Sequence, residues 1–354
     1  MDIRIGAVAR TVAVVGSLAM LATAQAVSGQ SPSTRDATLS MRVAGVDGGA
    51  AARLAGALAD EVRDLTGGSV SIEPELMDGA APATQLAVVD ALLAGDADLV
   101  VADSRAWEHA GIEGLRGLDL PGLITDGDLA RFVAASPVAR QALDAMAPAG
   151  VTGIALWPTG LRHAVSFAGQ PTLGEASAYG VATLALVPTA TTTAMADALG
   201  FAIADPTGPM GGWGDAVTGG EWAYDAIADP WSGTVAISDV ALSPGFVVVA
   251  IRTSTLDELG PTAAAALLRA AEDVPYGSSA PTLDEAAGAA AWCAHGGRVV
   301  AATPDGMASL AIALQPVIDQ ALADPLTASQ VDRIVAYRDA LPAASTSEAC
   351  EPAQ

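Results

Sequence analysis

Arg162 sits in the stretch LWPTGLRHAVSF, between Gly160 and His163 and five residues after Trp157. A guanidinium carries a planar fork of donors that grips a carboxylate through two parallel hydrogen bonds. This one follows an apolar, strand-like run and a glycine, which argues against an idle surface charge. Two uses remain: holding an anionic group of a ligand, or pairing with a carboxylate of the chain such as Asp225 or Asp229. Those two acids stand four apart, so on a helix they share a face. They suit the amine or hydroxyls of a ligand; the plainer alternative is a solvated helix end before Asp229-Pro230-Trp231. Trp157, Trp213, Trp222 and Trp231 offer flat faces that can stack on a ring or meet a cation, and each serves equally as core packing.

Catalytic chemistry finds little support. The three histidines, His109, His163 and His295, are scattered. No G-x-S-x-G elbow, H-E-x-x-H or C-x-x-C motif occurs. All 16 basic residues are arginine, which removes the P-loop lysine and Schiff-base chemistry together. The segment GPMGGWGDAVTGG is glycine-rich but lacks a phosphate-loop spacing, and reads as a rim. A formal net charge of −24 repels phosphate backbones, so nucleic-acid binding is set aside. Solubility or the steering of cations accounts for that charge. No metal-ligand cluster and no cofactor are implied.

The elements that must position these residues follow from the pattern. ATLSMRVAGV reads as a strand, and a helix follows from Asp47 to Gly67-Gly68. SVSIEPEL is a second strand, APATQLAVVDALLAGD a second helix, and ADLVVAD a buried strand ending at Asp103-Ser104. This βαβαβ order predicts an open parallel sheet, with ligands beyond the carboxyl ends of the strands, where Asp47 and Ser104 stand. Further on, VTGIALW, YGVATLALV, FAIADP, TVAISDVAL and GFVVVAIR read as strands, and GGWGDAVTGGEWAYDAIAD as helix-like. The fold class expected is α/β with two lobes, each an open mixed or parallel sheet flanked by helices. The chain crosses between the lobes near Arg162 and again near Phe246. Residues 38–162 and 247–275 are assigned to the first lobe, 163–246 and 276–340 with the last helices to the second, and 341–354 to a tail.

At the amino terminus, Arg4 and Arg10 precede the apolar run TVAVVGSLAMLATA and the small-residue site Ala24–Ala26. That is the pattern of a signal peptide over 1–26 with a leader over 27–37, the alternative being a retained anchor helix. An exported, soluble protein is the expectation, and the later runs are too short to span a membrane. Cys293 and Cys350 then read as a disulfide, a closure that stabilises by about 3–4 kcal/mol. Cys293 and His295, only two apart, make a poor nucleophile pair.

In that order the chain resembles the DctP-like solute-binding proteins of the tripartite ATP-independent periplasmic (TRAP) transporters. DEVRDLTGGSVSIEPEL resembles the family's helix, paired-glycine turn and strand, and ATQLAVVDALLAGDADLVVAD its next helix–turn–strand unit. LDLPGLI resembles its "fdLPfl" loop, LWPTGLRH its "ywdnGfR" motif and YDAIADP its "vDGqEnP". The resemblance implies a two-lobed extracytoplasmic binder, periplasmic or otherwise outside the cytoplasm, that closes on a small organic acid and docks on a two-subunit membrane permease. Arg162 matches one of the family's two carboxylate-holding arginines. The other, from "GlKiRvp", falls in YGVATLALVP, where Leu184 or Ala185 stands instead, and the Asn of "qEnP" is replaced by Asp229.

These departures predict an atypical pocket. The solute is neutral or amine-bearing, or its acid group meets Arg162 alone. The candidate ligand residues are Arg162, Asp229, Asp225, Trp157, Trp222, Asp47, Ser104 and Leu184. A monomer delivering its solute to the permease is expected. The alternatives are a secreted binding or sensor protein that has left transport, and a secreted hydrolase with a non-local triad.

Overall fold

The computed structural model describes residues 36–78, 81–166, 183–205, 217–224, 236–276 and 284–341. The expected βαβαβ unit is present as β1 (Ala37–Gly45), α1 (Ala50–Leu65), β2 (Val70–Asp78), α2 (Pro82–Ala94) and β3 (Leu99–Asp103). β1 pairs in parallel with both β2 and β3. α1 buries Leu54, Leu58 and Val62, one stripe at helical spacing. α2 ends at Gly95, whose left-handed φ of 86° lets its backbone close on the carbonyls of Ala91 and Leu92. The short helix α3 (Ser104–His109), a 3-10 turn at Glu113–Leu118, and helices α4 (Gly127–Ala134) and α5 (Pro137–Asp144) complete the first half.

The two long strands depart from the sequence expectation. That reading ends one strand at Trp157 and splits another at Ser243-Pro244. Both instead run through, as β4 (Val151–Ser166) and β8 (Ala236–Arg252). They pair antiparallel along almost their whole length, so each satisfies the other's backbone groups. Pro158 is absorbed by a register shift between Pro158 and Gly160, and Pro244 pairs in register with Leu161. Gly160 takes a φ of 138°, which a side chain would resist. Arg162 therefore lies within a strand, not beyond its end.

Beyond this crossing come β5 (Thr183–Ala185), α6 (Ala190–Leu199), β6 (Ala202–Ile203) and β7 (Gly219–Trp222). The segment around Trp222 was expected to be helical; it is a strand, antiparallel to β4 and parallel to β5. Gly219 makes this pairing possible, because a Cβ there would lie 2.2 Å from the Val165 carbonyl oxygen. After β8 follow α7 (Thr253–Glu258), α8 (Gly260–Asp273), α9 (Glu285–Ala294), β9 (Arg298–Val300), α10 (Pro304–Ala321) and α11 (Pro325–Ala340). The sheet order is β2-β1-β3-β8-β4-β7-β5-β6, with β9 on β8, giving a mixed sheet flanked by helices.

Burial on both faces explains the unbroken apolar run of β8. Phe246, Val248 and Ala250 enter one core with α2, α4 and α5, while Val247, Val249 and Ile251 enter another with α1 and α8. Fully burying the Phe, Val and Ile side chains among these contributes about 1.5–3 kcal/mol each. In the other half, Ala164 and Leu184 pack with α6 and α10, and Val165 packs with α9 and β9. α11 brings Val331 and Ile334 into the first of these cores, and Gln330 donates to the Gly114 carbonyl at 2.8 Å. The last helix thus lies on the first half of the sheet, where the sequence reading had placed it with the second. Among the described residues no helix is long and apolar enough to cross a membrane.

Candidate functional site

β3 ends at Asp103, and its carboxylate does two things at once. One oxygen caps α3 by accepting the Arg105 backbone N–H at 2.9 Å; the other accepts from Arg162 at 2.5 Å. The Asp103 backbone N–H donates to the Gln85 side chain at 2.8 Å, which fixes the strand end against α2. Around this point lies a cavity of about 170 Å³. Gly45, Gln85, Asp103 and Arg105 line it from the carboxyl ends of β1 and β3 and from α2 and α3. Thr159, Arg162 and Gly245 line it from the crossing strands, and Ala185, Glu221 and Trp222 from the second half.

Both guanidinium groups of the cavity are buried and neutralised by the chain itself. Arg162, 7% exposed, donates to Asp119 at 3.3 Å as well as to Asp103. Arg105, 3% exposed, donates to Glu221 at 2.7 Å and to the Ser243 hydroxyl at 2.9 Å. Burial works against the Arg105 charge, but Glu221, Asp119 and Asp103 outweigh it and hold the guanidinium above its ordinary range. Burial also pushes the Asp119 carboxyl up to about 6, against the pull of Arg162 and Arg105. Two cations therefore face three carboxylates, a balance of 2 − 3 = −1 when all are ionised.

Several candidate residues fall elsewhere. Trp157 is wholly buried in the core under α1 and α8, donates to the Ala271 carbonyl at 2.8 Å and does not line this cavity. Leu184 is also core, because alternation along β5 turns it toward α6 and turns Ala185 to the cavity. Ser104 is buried against Asp119 and does not line the cavity. Asp47 is exposed in the turn after β1, while its neighbours Val46 and Gly49 reach the wall. Arg162 and Trp222 do line the cavity. Asp225, Asp229, Trp213, Trp231 and Cys350 lie outside the described residues; Cys293 is on α9.

The sequence reading missed Arg105, Asp119 and Glu221. Arg105 carries the same signal as Ser104, a polar residue just past a buried parallel strand. The histidines are engaged away from the cavity: His109 with the Pro188 carbonyl at 2.7 Å, His163 with Glu285 at 2.6 Å and His295 with the Ala291 carbonyl at 2.7 Å. Among the described residues no cluster of His, Cys, Asp and Glu is arranged to hold a metal ion. The arrangement is suited to gripping a small polar solute between charged pairs.

Residues 51–201 match the DctP model, described as bacterial extracellular solute-binding protein, family 7. No curated protein matches the chain in sequence. Its fold is shared with a TRAP periplasmic solute-binding protein of Polaromonas sp. JS666 bound to D-erythronate, at TM-score 0.72 and 18% identity over 84% of this chain and 97% of that one. The sugar-acid binding protein DctPAm of Advenella mimigardefordensis, in complex with galactonate, aligns at TM-score 0.71 and 14% identity over 85% and 99%. A TRAP periplasmic protein of Xanthobacter autotrophicus Py2 with β-D-galacturonate aligns at TM-score 0.69 and 17% identity over 84% and 99%. At these identities the likeness is one of fold.

Proposed function

We propose that this chain is a solute-binding protein of the DctP family, which closes its two lobes on a small hydroxylated monoacid and delivers it to a TRAP-type permease. The observation that carries the reading is the cavity itself. It lies beyond the carboxyl ends of β1 and β3 and is walled by residues from both halves of the sheet, with Arg162 among them. Its volume suits on the order of ten water-sized groups, the scale of a short sugar acid. Arg162 keeps donors beyond those used by Asp103 and Asp119, and these meet the solute's carboxylate. Asp103, Glu221 and Gln85 accept from its hydroxyls. Ligands such as erythronate, galactonate and galacturonate, found in the fold neighbours, belong to this class.

Contacts from both halves are what drive closure, because a solute shifts the lobes only by its differential affinity for the closed form. Secretion through the amino-terminal segment and a Cys293–Cys350 bridge belong to the same reading. Thermal unfolding with a solute panel tests it. D-erythronate, D-galactonate or a related monoacid is expected to stabilise the protein by about 2.7 kcal/mol at a hundredfold excess over its dissociation constant. A panel of small acids, polyols and amines with no stabilising member overturns the assignment.

A further inference from the structure

The resemblance places a second arginine on the strand that holds Leu184 and Ala185. Ala185 faces the cavity with a methyl group only. Its partner across the ladder is Gly220, and the residue after that is Glu221. Where a guanidinium is expected, the second half of the sheet thus presents a carboxylate to the cavity. The guanidinium that meets it comes from the opposite wall, Arg105 in the first turn of α3. The two side chains are 4% and 2% exposed, and both line the cavity. The Arg105 Nε, also buried, has no partner.

This transposition has a consequence for selectivity. A solute with a carboxylate at each end can set one against Arg162. The other then approaches Glu221, in a buried site where like charges repel most strongly. Reaching Arg105 requires expelling Glu221 and leaving it unpaired. A hydroxyl at that end instead donates to Glu221 and leaves the ion pair intact.

Building on the reading of the cavity as a monoacid site, we propose that Glu221 is its specificity-determining residue. It is a tethered carboxylate that occupies Arg105 in place of a solute's second carboxylate, and so excludes diacids.

Isothermal titration with two matched pairs tests this: D-erythronate against meso-tartrate, and D-galactonate against galactarate. Within each pair only one end differs, hydroxymethyl against carboxylate. The wild-type protein is expected to bind a monoacid at least tenfold more tightly than its diacid. Glu221→Gln is expected to shrink that ratio below threefold by tightening the diacid, and Glu221→Asp, which keeps the charge, to preserve it. If Glu221→Gln does not fold, Arg105→Gln combined with Glu221→Gln replaces the ion pair by two amides and is expected to lose the discrimination likewise. A wild-type protein that holds the diacid as tightly as the monoacid overturns the proposal. So does monoacid binding whose ratio is unchanged in the folded Gln variant, which leaves the solute-binding function standing. Binding of neither member of either pair by the wild type overturns this inference, and the monoacid reading falls with it when no other monoacid of the panel binds.

Discussion

The two halves of the sheet are built to different standards. In the first, β1 and β2 pair over nine residues, and two large cores close on both faces of β8. In the second, among the described residues, β5 pairs with β6 and with β7 over two residues each, and the cores are small. The charges divide the same way. Arg105, Asp103 and Asp119 belong to the first half, Arg162 to the crossing strand, and Glu221 alone among the described cavity-lining charges to the second. The first half is a platform that holds a charge network in place. Among the described residues the second is the lighter cover, and it meets the first across the cavity.

The comparison predicts unequal costs for deleting side chains. Trp157→Ala removes the largest side chain of the core under α1 and α8, together with its bond to Ala271. It is expected to cost about 3–5 kcal/mol in denaturant unfolding. Leu199→Ala, in the small core beside α6, is expected to cost about 2–3 kcal/mol and to raise amide exchange in β5 and β6 alone. Equal, global effects of the two would erase the distinction between platform and cover.

Arg162→Ala comes next, and here the structure changes the expectation. As a ligand residue alone, one of the two uses its motif leaves open, Arg162 would be removed without cost to the fold. In the fold it also holds the wholly buried Asp119. Deleting it is expected to abolish solute binding and to cost about 3 kcal/mol, because a buried carboxylate loses its main counter-ion. A variant with wild-type stability and no binding would make Arg162 purely a ligand residue.

Asp119 gives the same network a pH dependence. Its carboxyl is raised to about 6 from an ordinary 3.8. Between those values the folded chain holds more proton than the unfolded chain, so this group's contribution to stability grows as pH falls from about 6 toward 4, by about 2–3 kcal/mol. Asp98 and Asp324, held below their ordinary range, oppose further acidification below that window. Protonating Asp119 also frees Arg162 from one of its partners. Affinity for a monoacid is therefore expected to rise several-fold between pH 7 and pH 5.5, and Asp119→Asn to bind as the acidic protein does at both. Titrations at the two pH values check this.

How much of this was legible depends on distance along the chain. The βαβαβ unit was readable because its signals are local: alternating residues in β1, a stripe on α1, a glycine after α2. The continuous β4–β8 crossing was not, because Pro158, Pro244 and Gly245 are local breakers and what overrides them is a partner strand far away in sequence. The cavity followed the same rule. Arg162 stood out by its motif, but its partners Asp103 and Asp119 lie 59 and 43 residues before it. Arg105 and Glu221 are 116 apart. Between Leu184 and Ala185 the choice was one of strand parity, which three residues of apolar sequence do not determine.

The smallest effect separates the two ion pairs most sharply. Arg162 and Asp119 are held together by the first half and the crossing strand, so no movement of the cover separates them. Arg105 and Glu221 meet across the cavity. If Arg105 is cut to alanine, the cover can lift and let water reach Glu221, which caps the cost at that of opening. Arg105→Ala is therefore expected to lose only about 1–2 kcal/mol in global unfolding, less than Arg162→Ala. Its mark appears instead in local opening, as faster amide exchange at β7 that a bound solute reverses. If Arg105→Ala is as destabilising as Arg162→Ala, Glu221 is walled in on both sides, and the two halves do not part as separate bodies.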